Sequence, residues 1–171
     1  NNIVVSTVMS NYGFKQAIEK FNFDLIETPV GDKYVAEAMK KYDAALGGEQ
    51  SGHIIISDLL PVGDGLVTLI YVLKAMQHFG VALSDFKREH LYEYPQKLTN
   101  LELENKLNDE ELEYINQIAL DMSIKKDLDG RYLIRNSGTE PLLRVLVEAK
   151  SNEAMEEFSN ELITKINKYL N

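Results

Sequence analysis

Short β-branched runs alternate with helical periods in the N-terminal half of the chain. Strands are predicted over residues 3–8, 24–28, 44–46 and 54–57. Apolar residues recur with helical spacing in the segments 11–21, 32–42 and 64–79. Strands that alternate with helices predict a three-layer α/β domain built around a mostly parallel or mixed sheet.

The apolar positions of these helices show which side of each is suited to packing. The first helix carries Phe14, Ala17, Ile18 and Phe21, the second Val35, Ala38, Met39 and Tyr42, and the third Leu66, Leu69, Ile70, Leu73 and Met76. Asp32 is a candidate N-cap for the second helix, and Gly80 suits the end of the third.

The pattern changes beyond about Leu83. Residues 100–130 carry nine acidic side chains against three lysines. The segment includes a capping box, Asn108 with Glu111, that starts a helix whose buried face is Leu112, Ile115, Ala119 and Met122. Two strands, 131–135 and 142–149, precede a last helix that begins at Ser151 or Asn152 and turns Met155, Phe158, Leu162, Ile166 and Tyr169 inward.

Helices beside a strand pair predict a second, smaller α+β domain with an antiparallel sheet. We place the boundary near residues 84–88, which gives an α/β domain over residues 1–85 and an α+β domain over residues 86–171.

Charge and composition narrow the class of protein. With 18 basic and 27 acidic residues, the 171-residue chain has a net charge of −9, which argues against non-specific binding to nucleic acid. The longest apolar stretch, residues 66–76, is interrupted by Thr68 and Lys74 and is too short for a membrane span. Cysteine is absent, which excludes disulfides and thiolate metal sites. No signal peptide is visible at the start, so we expect a cytoplasmic protein that binds neither nucleic acid nor membrane.

The loop at residues 47–53 combines glycines with varied polar groups. Glu49 could accept hydrogen bonds from two vicinal hydroxyls, and Ser51 and His53 lie within four positions of it. The loop could therefore bind a polyol. The alternative is a polar turn whose glycines serve only the backbone geometry.

A second polar loop follows the first strand of the C-terminal pair. Arg135 could hold phosphate oxygens with its guanidinium fork, and the backbone N–H groups around Ser137, Gly138 and Thr139 could form an anion-binding nest. The sequence lacks the Gly-Lys-Ser/Thr ending of a Walker loop. The alternative is an ordinary hairpin turn, in which Asn, Ser and Gly are common.

The third candidate is the junction at Gly31 and Asp32, between a strand and a helix, where ligands gather in α/β layers. A metal site at Gly63-Asp64-Gly65 is poorly supported, because one carboxylate is too few for a hard cation.

Together and in this order, the motifs VGDKYV, GGEQSGH with GDGL behind it, and RNSGTEPLLRVLVEA resemble the α-D-phosphohexomutases. The opening TVMSNYGF and the letters GEQSGHII are most similar to bacterial members that act on glucosamine phosphates. Members of this family have four domains, and nearly all of this chain resembles most of the third, without its N-terminal part, and the whole fourth.

The resemblance implies roles for the candidate residues. Glu49 and Ser51 would bind sugar hydroxyls with His53 close by, and Gly31 and Asp32 would belong to a loop that senses sugar orientation. In the fourth domain, the ligands of the non-reacting phosphate would be Arg135, Ser137, Gly138 and Thr139.

The resemblance also implies what this chain lacks. The catalytic phosphoserine of the family lies in the first domain and its Mg²⁺-binding aspartates lie in the second, and neither motif occurs in these 171 residues. The chain therefore resembles part of an enzyme that interconverts glucosamine 6-phosphate and 1-phosphate through a bisphosphate. Members that act on glucose or mannose phosphates, a non-catalytic sugar-phosphate binding module and a purely structural domain pair are the alternatives. The residues do not determine the oligomeric state.

Overall fold

The computed structural model describes residues 2–170, and its contacts divide the chain into two compact units, Asn1–Glu93 and Tyr94–Asn171. The predicted order, an α/β domain followed by an α+β domain, is confirmed.

The first unit contains four strands and four helices. In chain order these are β1 (Ile3–Thr7), α1 (Tyr12–Lys20), β2 (Asp24–Thr28), α2 (Asp32–Tyr42), β3 (Leu46–Gly48), β4 (Ile54–Ile56), α3 (Gly65–Phe79) and α4 (Leu83–His90). The sheet order is β2-β1-β3-β4. The first three strands are parallel, and β4 is antiparallel to β3, so the sheet is mixed.

The core of this unit lies between the sheet and α2. Its buried side chains are Val5, Val35, Met39, Ala44 and Ile55. The helix approaches the sheet so closely that a Cβ on Gly47 would clash with the Met39 sulfur. Glycine at this position therefore allows α2 to reach β3.

The apolar repeat that predicts α3 does not face the sheet. Leu66, Leu69, Ile70 and Leu73 are between 51 and 74% exposed, and no residue of α3 is buried. The opposite side, with Thr68 and Val72, lies along the sheet instead. Because α3 is apolar on both sides, its spacing could not indicate which side packs.

Helix α4 was not predicted, and the proposed boundary at residues 84–88 lies inside it. Phe86 in this helix stacks on Phe21 at 6.4 Å between ring centroids and contacts Phe79 at 5.5 Å. These contacts keep α4 in the first unit, and the division falls after Glu93 instead.

The second unit is a three-stranded antiparallel sheet with two helices. Its elements are β5 (Gln96–Glu102), α5 (Asp109–Lys125), β6 (Gly130–Asn136), β7 (Leu142–Ala149) and α6 (Asn152–Leu170), with the sheet order β5-β7-β6. Strand β5 was not predicted. It alternates exposed and half-buried residues, with polar side chains on both faces, so its hydrophobic pattern is weak.

Apolar residues of α5, α6 and the central strand form the core of this unit. The fully buried members are Ile115, Ala119, Leu143, Val145, Val147, Ala149, Leu162 and Ile166. The capping box of Asn108 and Glu111 is present, and the Ser151 hydroxyl accepts a hydrogen bond from the Ala154 N–H at 3.1 Å. Tyr169, which was expected to point inward, is 41% exposed.

Within residues 2–170, no single helix is long and apolar enough to cross a bilayer. Helices α3 and α4 meet both criteria only when taken together, and they are bent by 76° relative to each other.

Candidate functional site

A tight five-residue loop, Glu49 to His53, joins β3 to β4. The Glu49 N–H donates to the His53 carbonyl, and the Gly52 N–H donates to the Glu49 carbonyl, both at 3.0 Å. Gly52 has a φ of 96°, which side-chain-bearing residues rarely adopt. The loop therefore has a defined conformation that presents its polar side chains at the end of the sheet.

The Glu49 carboxylate lies at the centre of the first site, and its side chain is only 10% exposed. Its Oε2 accepts a hydrogen bond from the Gly31 N–H at 3.2 Å, and its Oε1 lies 3.5 Å from His53 Nδ1. His53 Nδ1 is also 3.0 Å from the Ser51 hydroxyl. The structure thus brings together Gly31, Glu49, Ser51 and His53, which the sequence placed in two separate loops.

Asp32 does not join this group. Gly31, with a φ of 133°, is the N-cap of α2, and no side chain caps this helix, so the predicted capping role of Asp32 is wrong. Asp32 is the first residue of the helix itself, and its carboxylate accepts the N–H of Lys33 at 2.8 Å.

Hydroxyl groups that sequence reasoning missed lie at the same edge of the sheet. The Ser6 hydroxyl donates to the Gly48 carbonyl at 3.0 Å and shares a hydrogen bond with the Ser10 hydroxyl. Both serines are buried where β1 ends. The serines at the end of the first predicted strand were the sequence signal for this part of the site, because the loops that follow parallel strands meet at one edge of the sheet. They support the backbone that carries Glu49.

A groove of about 570 Å³ runs along the sheet from Glu49 and Gln50. Its walls are largely apolar and include Val4, Phe14, Leu46, Ile54 and Val72. A sugar phosphate needs polar partners, so the edge around Glu49 suits it better than this groove does.

The second site lies in the loop that joins β6 to β7, residues 137–141, which we call the β6–β7 loop. Ser137 is 2% exposed, and its N–H donates to the Leu142 carbonyl at 2.7 Å. In the described part of the chain, the Ser137 hydroxyl and the Arg144 Nε are buried without a hydrogen-bond partner. Buried polar atoms are nearly always bonded, so these two are suited to a ligand.

Two arginines flank this loop on neighbouring strands. Arg135 and Arg144 are directly opposite each other in the β6–β7 register. Burial lowers the pKa of the Arg135 guanidinium, and the Arg144 charge lowers that pKa further. The nearest carboxylate to Arg144 is Glu140 at 3.9 Å. Paired cations favour binding of an anion.

The remaining predicted phosphate residues, Gly138 and Thr139, are exposed in the same loop. Arg144 was not among the predicted ligands, although its position opposite Arg135 follows from the pairing of the two strands. Lys106 also reaches the loop, and its Nζ donates to the Gly138 carbonyl at 2.6 Å.

Residues 2–170 contain no group of three His, Asp or Glu side chains arranged to hold a metal ion. The described residues of this chain therefore do not fit a resident Mg²⁺.

Family-wide sequence profiles match both units. Residues 1–94 match the profile described as phosphoglucomutase/phosphomannomutase, alpha/beta/alpha domain III, and residues 98–165 match the C-terminal domain of the same family.

Curated relatives agree with these profiles. The chain is 43% identical to a phosphoglucosamine mutase of Bacillus subtilis over 94% of its own length, and 46% identical to one of Streptococcus agalactiae over 91%. It covers only 36% and 35% of those proteins, so it spans about a third of their length.

Solved structures share the fold at lower identity. An N-acetylphosphoglucosamine mutase of Aspergillus fumigatus superposes with a TM-score of 0.82 at 19% identity, over 99% of this chain and 39% of that one. A second Aspergillus fumigatus structure, in complex with GlcNAc-6P and magnesium, has a TM-score of 0.79 at 20% identity, over 99% of this chain and 42% of that one.

Proposed function

We propose a function that follows from the family of this chain. The chain belongs to the phosphoglucomutase/phosphomannomutase family, whose domain III and C-terminal domain it matches. The chain forms the C-terminal part of a phosphoglucosamine mutase, which interconverts glucosamine 6-phosphate and glucosamine 1-phosphate. The substrate is a hexosamine phosphate, and the enzyme acts in the cytoplasm with neither nucleic acid nor membrane as a partner.

The proposed reaction has two phosphoryl transfers. An enzyme phosphoserine gives its phosphoryl group to the free hydroxyl of the sugar phosphate, which forms a bisphosphate. The sugar then turns over, and its other phosphate returns to the serine. The serine and the Mg²⁺ ligands belong to domains outside this chain, where Mg²⁺ would neutralise charge on the transferred group.

The residues of this chain hold the sugar in both orientations. Glu49 accepts hydrogen bonds from two adjacent hydroxyls, which exchange places when the sugar turns over. Arg135, Ser137, Gly138 and Thr139, with Arg144 beside them, bind the phosphate that is not reacting. Such positioning is the main contribution that a protein makes to phosphoryl transfer.

The hydrogen bond from the Gly31 N–H to Glu49 is the observation that carries this proposal. It joins the loop after β2 to the loop after β3 through a carboxylate that is 10% exposed. Keeping a carboxylate so shielded from water is costly unless a partner binds it. A sugar with vicinal hydroxyls is a suitable partner.

A chimeric enzyme tests the function. This chain replaces the matching third of the Bacillus subtilis phosphoglucosamine mutase, and turnover of glucosamine 6-phosphate is measured. We expect conversion by the chimera and none by the 171-residue chain alone. Arg135→Ala should weaken substrate binding about tenfold to a hundredfold, as expected for lost charge-assisted bonds to a phosphate.

Other outcomes would point to the alternatives. A folded chimera that prefers glucose or mannose phosphates would assign the chain to those members of the family. Turnover by the isolated chain would contradict its being part of a larger enzyme. A folded chimera that binds glucosamine 6-phosphate without converting it would favour a non-catalytic binding module.

A further inference from the structure

Residues 103–107, which we call the bracing segment, hold the β6–β7 loop from both sides. The Leu103 N–H donates to the Pro141 carbonyl at 2.9 Å, at the end of the loop. Just before the loop, the Asn136 side chain donates to the Leu107 carbonyl at 2.8 Å and accepts the Leu107 N–H at 3.3 Å. The segment itself lies between β5 and the capped start of α5, so it is anchored at each end.

Lys106 contacts the middle of the same loop. Its Nζ donates to the Gly138 carbonyl at 2.6 Å. None of the ion pairs within residues 2–170 involves this lysine. Among the described residues, the ammonium is therefore held by a backbone carbonyl and not by a carboxylate.

This contact determines how one peptide group of the loop is oriented. In a trans peptide the carbonyl and the following N–H point in opposite directions. By holding the Gly138 carbonyl, Lys106 turns the Thr139 N–H to the other side of the loop. The ammonium also polarises this peptide group, which makes its N–H a stronger donor.

The charges around the loop are unbalanced. Three cations lie at the loop, namely Arg135, Arg144 and Lys106. Among the described residues, one carboxylate pairs with them: Glu140 lies 3.9 Å from Arg144. The Ser137 hydroxyl, 98% buried, has no partner among the described residues. Surplus positive charge beside an unpaired donor suits a doubly charged phosphate.

We propose that Lys106 is a positioning residue for the phosphate group of the substrate, acting through the Gly138–Thr139 peptide group. The inference rests on the proposed phosphate-binding role of the β6–β7 loop and adds a residue that the loop motif does not contain. Asn136 assists by fixing the bracing segment to the loop.

Titration of the 171-residue chain with inorganic phosphate tests this inference. Binding is followed by NMR at the backbone amides of Gly138 and Thr139, at several salt concentrations. The variants are Lys106→Met, which removes donor and charge, and Lys106→Arg, which keeps both. Lys168→Met, an exposed lysine in the last turn of α6, is the matched control, and Arg135→Ala is the reference.

We expect Lys106→Met to raise the Kd for phosphate about threefold to tenfold, in the range of one exposed charge-assisted hydrogen bond. Lys106→Arg should restore the affinity, and Lys168→Met should leave it unchanged. The Thr139 amide resonance of Lys106→Met should move even without phosphate, and the dependence of Kd on salt should weaken.

The results separate this inference from the function on which it rests. If Lys106→Met binds phosphate normally while Arg135→Ala does not, Lys106 has no positioning role and the phosphate site stands. If Lys106→Arg fails to restore the affinity, the side chain acts by packing, and the inference is wrong. If Arg135→Ala also binds normally, both the phosphate site and the role of Lys106 are wrong.

Discussion

Two side chains show how single residues shape the candidate sites. Glu49 is largely shielded and already accepts one backbone N–H, yet a carboxylate has about four acceptor positions and can take further bonds. Ser137 is buried with an unpaired hydroxyl. One residue is an acceptor suited to sugar hydroxyls, and the other is a donor suited to phosphate.

Replacing Glu49 tests the sugar site. In the chimeric mutase, Glu49→Gln keeps the volume but turns one acceptor oxygen into a donor nitrogen. An unpaired buried polar group costs about 1–3 kcal/mol, so the affinity for the sugar phosphate should fall about fivefold to 150-fold. The loss should appear in both reaction directions, and binding of inorganic phosphate to the 171-residue variant should be unchanged.

Glu37→Gln is the matched control for this experiment, since Glu37 is an exposed carboxylate of the same unit, on α2. Its kinetics should equal those of the unmodified chimera. Unchanged affinity and turnover for Glu49→Gln in both directions would mean that the loop is only a turn.

Asp129 gives a pH-dependent contribution to stability. The Lys150 ammonium at 2.9 Å lowers the pKa of this carboxyl below its ordinary value near 3.8, with a smaller effect from the Tyr94 hydroxyl. A lowered pKa stabilises the fold above the unfolded-state value, and this stability is lost as the pH falls through the folded-state pKa. Because the carboxylate is half exposed, the effect should be below about 1 kcal/mol.

Urea unfolding of Asp129→Asn as a function of pH checks this. The variant should be less stable than the original chain at pH 7, and the difference should shrink as the pH falls below about 4. Asp121→Asn, on the exposed side of α5, is the control. A difference in stability that does not change with pH would show that the charge of Asp129 is not responsible.

At the scale of helices and strands, the sequence predicted most elements and missed one short helix and one polar strand. The capping box and the buried face of α5 were correct, because Ile115, Ala119 and Met122 recur with helical spacing after a recognisable N-cap. Helix α4 spans only eight residues, which is shorter than the window in which a helical repeat can be recognised. Strand β5 carries polar residues on both faces, so its hydrophobic pattern is weak. Arg144 lies opposite Arg135 because β6 pairs with β7, and no local sequence pattern specifies this pairing.

Helix α3 leads to a prediction about association. Leu66, Leu69, Ile70 and Leu73 form an exposed apolar stripe, and stripes of this kind are contact surfaces or cause aggregation. The 171-residue chain should therefore associate as its concentration rises. Leu69→Glu combined with Leu73→Lys should reduce this, since it adds a favourable i, i+4 pair to the helix without changing the net charge.

Analytical ultracentrifugation over a concentration series measures the effect, and the melting temperature of the variant verifies that α3 is intact. Ile124→Lys, which changes an exposed apolar residue of α5 that is 71% exposed, is the control. If the original chain is monomeric at every concentration, or if the control reduces association equally, the stripe on α3 has no special role.

At the scale of the whole molecule, each site lies in its own unit with its own core. The Glu49 site depends on strand ends in the first unit, and the β6–β7 loop depends on the antiparallel sheet of the second. The units are joined through residues 91–95, which form neither helix nor strand. Each candidate site is therefore supported by the core of its own unit.

The position of the joint can be tested by limited proteolysis. Tyr92 is 55% exposed and Glu93 follows it in the same irregular segment, whereas Lys87 and Arg88 lie within α4, where Lys87 pairs with Glu93 at 2.7 Å. Proteases cut exposed, irregular backbone most readily. Chymotrypsin should therefore cut after Tyr92 sooner than trypsin cuts after Lys87 or Arg88, and the C-terminal fragment should persist because it retains its own core.

Mass spectrometry of the first products identifies the cut. An early tryptic cut at Lys87 or Arg88 that leaves a stable C-terminal fragment would instead place the joint at residues 84–88, and rapid loss of the C-terminal fragment would show that the second unit does not fold alone.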